Sequence, residues 1–362
     1  MGSDVARRDA GRLTAMRIGL LSSIPVTLDA FFPSWVERWR AEGHHVAPAS
    51  GPGESGAAAS IEGSVAIRGI TRDPSPINGT AHRRLRAWAQ HERLDVILTN
   101  TATASAIVRT ARTGVPVVYF CHGLHVTDHP RRRDRAFLAV ERSLLRSTAG
   151  VVVLSGTDED WFAARARPDT PVLRLPAGVG LDLTRFVAAP MPPAVGGLRL
   201  VWIGEMVPNK RPLDALAVVA NLRGLGVDAT LTMLGDGPLV QQVRSAAPEG
   251  VDVVGREDPV PAITSAHALL HTSEREGLPR VQLEAAAIGR PSFGYDIRGV
   301  RDAPGATAVG QAGDTDTLAR AIASWWGAGG LRPRSDRWAL DWQTAHAAVT
   351  GVLEVVVAPL GS

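Results

Sequence analysis

Cysteine is almost absent from this 362-residue chain: Cys121 stands alone. A single thiol excludes an intrachain disulfide and fits a reducing compartment. Long apolar runs are missing too; none reaches the ~18 residues that a membrane span requires. The stretch from Met1 to Ala15 is polar, carries Arg7, Arg8 and Arg12, and lacks the apolar centre of a signal peptide. A cytoplasmic location follows, with peripheral contact at the inner face of a membrane left open. Net charge is small, because 39 Lys+Arg are set against 36 Asp+Glu to leave +3, mixed along the chain. Such a balance is weak support for an anionic partner and argues against nucleic acid. Aromatic residues make up only 5%, and none interleaves with basic residues in the way that stacks bases.

What remains is length and alternation. The chain is too long for one compact core and suits two domains. From Met16, short apolar strands alternate with helix-length segments. Arg17–Ser22, His45–Ala47, Asp95–Thr99, Val115–Phe120 and Gly150–Leu154 read as strands, and Leu28–Glu42 reads as one helix ending at Gly43. The Gly/Ala/Ser-rich residues 50–60 read as loop. Val187–Gly197, rich in Pro and Gly, breaks the pattern. It then restarts with strands at Leu198–Ile203, Ala229–Leu234, Val251–Val254, Ala268–Thr272 and Pro291–Gly294. This alternation predicts an α/β protein with two doubly wound, mostly parallel sheets. Its expected organisation is a tail over 1–15, a domain over 16–187, a linker over 188–197, a second domain over 198–337, and C-terminal helices over 338–362 that pack back on the first domain.

In such sheets ligands sit at the carboxyl ends of strands. The most informative turn is Ser273–Pro291, where Glu276 and Glu284 have seven residues between them and Gly-Leu-Pro follows the first. Pro279 suits the first helical position, where its missing N–H costs nothing. Gly289 and Pro291 stop the helix. The amino end of that helix is an anion site by its unpaired amides and its dipole. Gly204 to Arg211 follows another strand; Gly204 permits close backbone approach, and Lys210 can reach a phosphate as a point charge. Gly235-Asp236-Gly237-Pro238 and Gly255-Arg256 follow two more strands, either bordering a flat ring or making tight turns.

His122, beside Gly123 at a strand's carboxyl end, can donate to a developing charge or act as acid or base. Cys121 faces the other side of that strand and reads as a small buried apolar residue. His122, His125 and His129 lack the helical context and carboxylate partner of a zinc site. Asp158-Glu159-Asp160 and Asp314-Thr315-Asp316 read as helix starts rather than as holders of a divalent ion. No metal is expected. Arg131 to Arg135 precedes an amphipathic helix, which reads either as a solvated helix start or as a surface near anionic lipid or a diphosphate-bearing acceptor.

Taken together these residues resemble the retaining family-4 glycosyltransferases of GT-B fold, and look most like members that build capsular, exopolysaccharide or O-antigen repeat units. The resemblance is carried by Cys121–His125, Gly178–Asp182 with Arg185-Phe186, Gly204-Glu205 with Asn209-Lys210, Gly235–Pro238, Ser273–Pro291 and Asp296–Asp302, and covers roughly residues 16–325. It implies two Rossmann-like domains facing a central cleft, and a hexosyl or N-acetylhexosaminyl group moved from a nucleotide-diphosphate sugar, UDP by expectation, to a hydroxyl of a glycan, lipid-linked or small-molecule acceptor. Glu276 would bind hydroxyls of the donor sugar and Glu284 the ribose. Lys210 and the amides of Gly277 and Leu278 would hold the diphosphate, with Gly204, Gly235, Gly237, Pro238, Gly255 and Arg256 around the donor. Where many relatives carry a phosphate-binding Arg, this chain has Glu205, so that task falls to Lys210 or Arg211. His122, with Ser22, Ser23 and His125, would serve the acceptor side. No cofactor or metal is implied. Two other readings remain: a nucleotide-sugar 2-epimerase or hydrolase on the same fold, and a non-catalytic sugar-binding protein.

Overall fold

The computed structural model describes residues 15–53, 61–124, 132–330 and 336–358. The chain separates into two compact units, one running to Val118 and one from Tyr119 to Gly361.

The first unit contains β1 (Arg17–Ser22), α1 (Pro25–Phe31), α2 (Pro33–Ala41), β2 (His45–Ser50), β3 (Val65–Ala66), α3 (Ala81–His91), β4 (Val96–Thr99) and α4 (Ala102–Ala111), and its boundary falls within β5 (Val117–Cys121), after Val118. β1 pairs in parallel with β2 and with β4. The single helix expected over Leu28–Glu42 is two. Pro33 cannot continue the ladder of α1, and Phe32 between them leaves the helical region at φ −118°, ψ 1°. Pro33 then begins α2, where its missing N–H does no harm.

The second unit continues with α5 (Arg132–Leu144), β6 (Gly150–Val153), α6 (Gly156–Ala163), β7 (Val172–Arg174), β8 (Leu198–Ile203), α7 (Pro212–Gly224), β9 (Ala229–Leu234), α8 (Val240–Ala246), β10 (Val251–Gly255) and α9 (Pro259–Ser265). β11 (Ala268–His271), α10 (Arg280–Ile288), β12 (Ser292–Gly294), β13 (Ala306–Ala308), α11 (Thr315–Gly327) and α12 (Trp342–Val357) complete it. Strand order is β3-β2-β1-β4-β5-β6-β7 in a seven-stranded sheet and β10-β9-β8-β11-β12-β13 in a six-stranded one. The pairs that flank β8, β9, β11 and β12 are parallel. This is the doubly wound α/β architecture expected from the alternation. β3, β7 and β13, each of two or three residues, carry too little pattern to stand out in the sequence. Among the described residues no helix is long and apolar enough to cross a membrane.

The second sheet buries a core of Leu200, Trp202, Leu231, Met233, Leu270 and Phe293 against Val218, Val219 and Leu222 of α7 and Leu318 and Ile322 of α11. α12 lies against β6. Its start is seated by the Gly178–Asp182 motif: Leu181 N–H donates to Leu340 O (2.8 Å) and Trp342 N–H to Leu181 O (3.1 Å). A Cβ on Gly180 would lie 2.5 Å from Trp342 N, so only glycine lets the two backbones meet. Asp182 accepts from the Thr184 amide (2.8 Å) and hydroxyl (2.6 Å), making a local turn.

Candidate active site

The turns after β8, β9 and β10 interlock backbone to backbone. Gly204 N–H donates to Leu234 O (3.0 Å), Met206 N–H to Asp236 O (2.8 Å), and Gly235 N–H to Gly255 O (2.6 Å). Gly235 (φ 137°) and Gly237 (φ 149°) have conformations and clearances that exclude a side chain; a Cβ on Gly237 would sit 2.8 Å from Met206 O. These glycines therefore set the rim of the sheet. Glu205, Pro238 and Arg256 are exposed on it.

The turn after β8 is also tied to the one after β11, its neighbour in the sheet. Thr272 Oγ1 donates to the carbonyls of Lys210 (2.8 Å) and Arg211 (3.0 Å) and accepts from Trp202 Nε1 (2.9 Å). Glu274 N–H donates to Asn209 O (2.9 Å), and Asn209 Nδ2 to Arg275 O (3.1 Å). Lys210, in a short 3-10 turn, is thereby held opposite Glu276, and its ammonium pairs with Glu276 Oε1. Lys210, expected at the diphosphate, and Glu276, expected at the sugar hydroxyls, pair with each other. Lys210 is also the only lysine in the chain.

A third group meets the same oxygen. His271, the last residue of β11, is buried, and its Nε2 lies 3.2 Å from Glu276 Oε1 without the alignment of a hydrogen bond. Burial alone would raise the Glu276 pKa. The His271 contact and the Lys210 charge outweigh it and hold the carboxyl at about 2. Burial lowers the His271 pKa below its usual value, so the imidazole is neutral at physiological pH.

Glu284 lies one turn inside α10, nearly buried, and accepts from Arg280 Nε at 3.2 Å. Its pKa is raised, by desolvation first, against the lowering effect of Arg280. α10 begins one residue later than the sequence indicates. Pro279, with ψ 112°, is the N-cap rather than the first helical residue and supplies no side-chain acceptor for the first-turn amides. Gly289 (φ 89°) ends the helix as expected.

Gly277 is as tight a point as Gly235. A Cβ there would lie 1.8 Å from the His122 carbonyl oxygen, and one on Gly123 would lie 2.9 Å from Gly277 Cα. His122 is thus carried to the head of the Glu276 turn by backbone contact. Its ring stacks on Phe120 with centroids 4.7 Å apart. Cys121 faces the core with Tyr119 and Phe162, and burial, reinforced by the Asp158 charge, pushes its thiol up to about 12. Leu278 approaches Gly178, where a Cβ would lie 3.6 Å from its Cδ2.

The other expected residues have different surroundings. Arg211, in the left-handed region at φ 47°, has its guanidinium on Asp214 (2.6 and 3.3 Å), which also accepts from Tyr295 Oη at 2.6 Å. Arg211, named beside Lys210 for the phosphate, is thus already paired with a carboxylate. Ser22 is buried at the end of β1; Ser23 Oγ bonds Thr101 Oγ1 (2.8 Å) and accepts from Ala104 N (3.2 Å), at the start of α4. His125 and His129 lie outside the described residues. Asp314 caps α11 by accepting from Thr317 N (3.0 Å). Asp158 does more than start a helix: it is buried and meets Arg298 of the Asp296–Asp302 motif at 2.8 Å, while Asp302 meets Arg174 at 2.7 Å.

Sequence reasoning missed His271, which reads as one more strand residue, and Arg290. Arg290 is fully buried and donates to the carbonyls of Ala189, Pro190, Thr264 and Ala266 at 2.7–3.0 Å, tying residues 189 and 190 to the end of α9.

Two parallel sheets, with the Glu276 and Lys210 turns at the strand ends of the second, define the GT-B class of glycosyltransferase. The family models agree. A glycosyl transferase 4-like domain matches residues 29–178, and a glycosyl transferases group 1 domain matches residues 197–327. The chain belongs to these glycosyltransferases. It is 29% identical over 264 residues to the glycogen synthase of Mycobacterium tuberculosis, a match covering 66% of this chain and 63% of that protein. The chain thus spans somewhat less than two thirds of that relative's length. A 2-deoxystreptamine glucosyltransferase of Streptomyces kanamyceticus is 29% identical over 217 residues, covering 53% of this chain and 56% of the relative. Among solved structures, Anabaena HepE in complex with UDP superposes with a TM-score of 0.67 at 17% identity, covering 94% of this chain and 96% of that one. At that identity the likeness shows the fold alone.

Proposed function

We propose that the chain is a retaining glycosyltransferase that moves a hexosyl or N-acetylhexosaminyl group from a UDP-sugar to an acceptor hydroxyl on a glycan, lipid-linked saccharide or small molecule. The observation that carries this reading is the convergence of the sole lysine on a buried carboxylate, with a second carboxylate one turn inside the following helix. Lys210 is the cation for the donor diphosphate; as the glycosidic bond breaks, the leaving phosphate gains charge that an ammonium and a helix amino end stabilise selectively. Glu276, ionised far below neutral pH, accepts from sugar hydroxyls. Glu284 accepts from the ribose. Attack is on the same face as departure, with the leaving phosphate oxygen taking the acceptor proton, and His122 faces the sugar. This scheme needs no metal, since Lys210 and the helix supply the positive charge. The UDP and UDP-glucose named with HepE support the choice of base.

The lone lysine makes the test direct. Reductive 13C-methylation labels Lys210 as the only side-chain amine; its NMR signal, identified by its absence from Lys210→Met, should shift on addition of UDP. A signal indifferent to saturating UDP and UDP-sugars would remove the donor-site assignment. Donor consumption without any acceptor would instead favour the epimerase or hydrolase reading.

A further inference from the structure

Donor binding sets Glu276 a problem. Its carboxylate is largely buried, with a side-chain exposure of 13%, and its partners are Lys210 and His271. If Lys210 turns to a diphosphate, it withdraws from Glu276. A buried carboxylate without a partner is costly and does not keep its orientation. His271 is then the remaining partner among the described residues, and it is built into the end of a central strand, where it cannot leave.

Both contacts are to Oε1. The imidazole approaches it to 3.2 Å but off line, leaving Nε2 buried without an aligned hydrogen bond. That is the geometry of a carboxylate drawn toward the lysine. Release of Lys210 frees Oε1 to accept a hydrogen bond from Nε2 and leaves Oε2 to face the ligand. The charged side chains that face His271 are Glu276 and Lys210.

We infer that His271 is the positioning residue of this site: it donates from Nε2 to Glu276 Oε1 when Lys210 engages the donor phosphate, and so fixes Oε2 for the donor sugar. The inference rests on the donor-site reading above and adds to it a division of labour. Lys210 serves the nucleotide diphosphate, and His271 serves the sugar through Glu276.

The test compares binding of UDP with binding of UDP-glucose, UDP-galactose and their N-acetylhexosamine counterparts, using whichever sugar nucleotide stabilises the wild type most. His271→Leu should weaken UDP-sugar binding about tenfold, equivalent to about 1.4 kcal/mol, and leave UDP binding within about twofold. His271→Gln, whose Nε2 can occupy the position of the imidazole Nε2, should recover most of that loss. In a Glu276→Gln background, His271→Leu should cost nothing further, because residues acting through one contact are not additive. Equal losses for UDP and UDP-sugar, additive effects with Glu276→Gln, or a Gln variant no better than Leu would each overturn the inference. If His271→Leu does not fold, the Gln variant and the additivity of His271→Gln with Glu276→Gln decide alone. Failure of wild type to bind any of these nucleotides would remove the donor-site reading itself, and the inference with it. Wild-type binding that is unaffected by His271→Leu would sink the inference only.

Discussion

Gly277→Ala is the most economical perturbation of this site. Gly277 does not occupy the left-handed region, so alanine suits its backbone. The whole cost is steric: the new Cβ would fall 1.8 Å from His122 O, whereas real Cβ atoms stay beyond 3.0 Å. The opposing atom is backbone carbonyl and cannot rotate aside. The turn bearing Glu276 and the segment bearing His122 must therefore separate by more than about 1 Å, a displacement of the size that costs about 10²-fold in rate when reacting groups are misplaced. The contact lies at a strand end rather than in a packed core, so the melting temperature should fall by only a few degrees. The assay is kcat/KM for transfer from the preferred sugar nucleotide, with thermal unfolding measured on the same preparation. A rate within about threefold of wild type would refute the claim that this backbone contact sets the site. A collapse in melting temperature with proportionate loss of activity would show that Gly277 is structural instead.

Three other outcomes are expected. Glu284→Gln should stabilise the free protein slightly and weaken UDP binding. Burial raises this carboxyl's pKa, so the native state holds its proton more tightly than the unfolded chain and the ionised form costs stability above the ordinary 4.5; a lower melting temperature together with unchanged UDP affinity would contradict both halves. Arg290→Met should lower the melting temperature by about 5–10 °C, because the buried Ala266 carbonyl and the part-buried carbonyls of Pro190 and Thr264 lose their donor, and a wild-type melting curve would show that water replaces the guanidinium without penalty. The pH profile of stability should descend in two stages on acidification. His271, held below its ordinary 6.5, makes the unfolded chain take up more protons as pH falls past that value. Glu276, held at about 2 against 4.5, then withdraws stability between those two values. Glu276→Gln should flatten the lower stage; parallel unfolding curves below pH 4.5 would exclude Glu276 as its source.

Much of this was legible in the residues themselves. Strand positions such as Arg17–Ser22 and Ala229–Leu234 follow from short apolar runs bounded by turn chemistry, and they alone imply the doubly wound sheets. Glu276, Glu284 and Lys210 are marked by spacing and by their place after strands, because ligands gather at carboxyl ends whatever the details of packing. The splitting of α1 from α2 was also written in the chain, at Pro33, but periodicity on both sides masks it.

Other assignments needed the third dimension, for one physical reason: they depend on which backbones touch. Gly178–Asp182 has the composition of a ligand loop, and the structure uses it to seat α12. Arg211 is as basic as Lys210, yet Asp214 and Tyr295 hold its guanidinium, and no local pattern reveals a partner on a distant strand. His271 is a strand histidine in the sequence and a neighbour of Glu276 in the fold, brought there because β11 ends where the turn doubles back. Spacing and composition determined the two doubly wound sheets and singled out the turns at their strand ends; only tertiary contact decided which charges face each other within those turns, because pairing is a matter of distance in space.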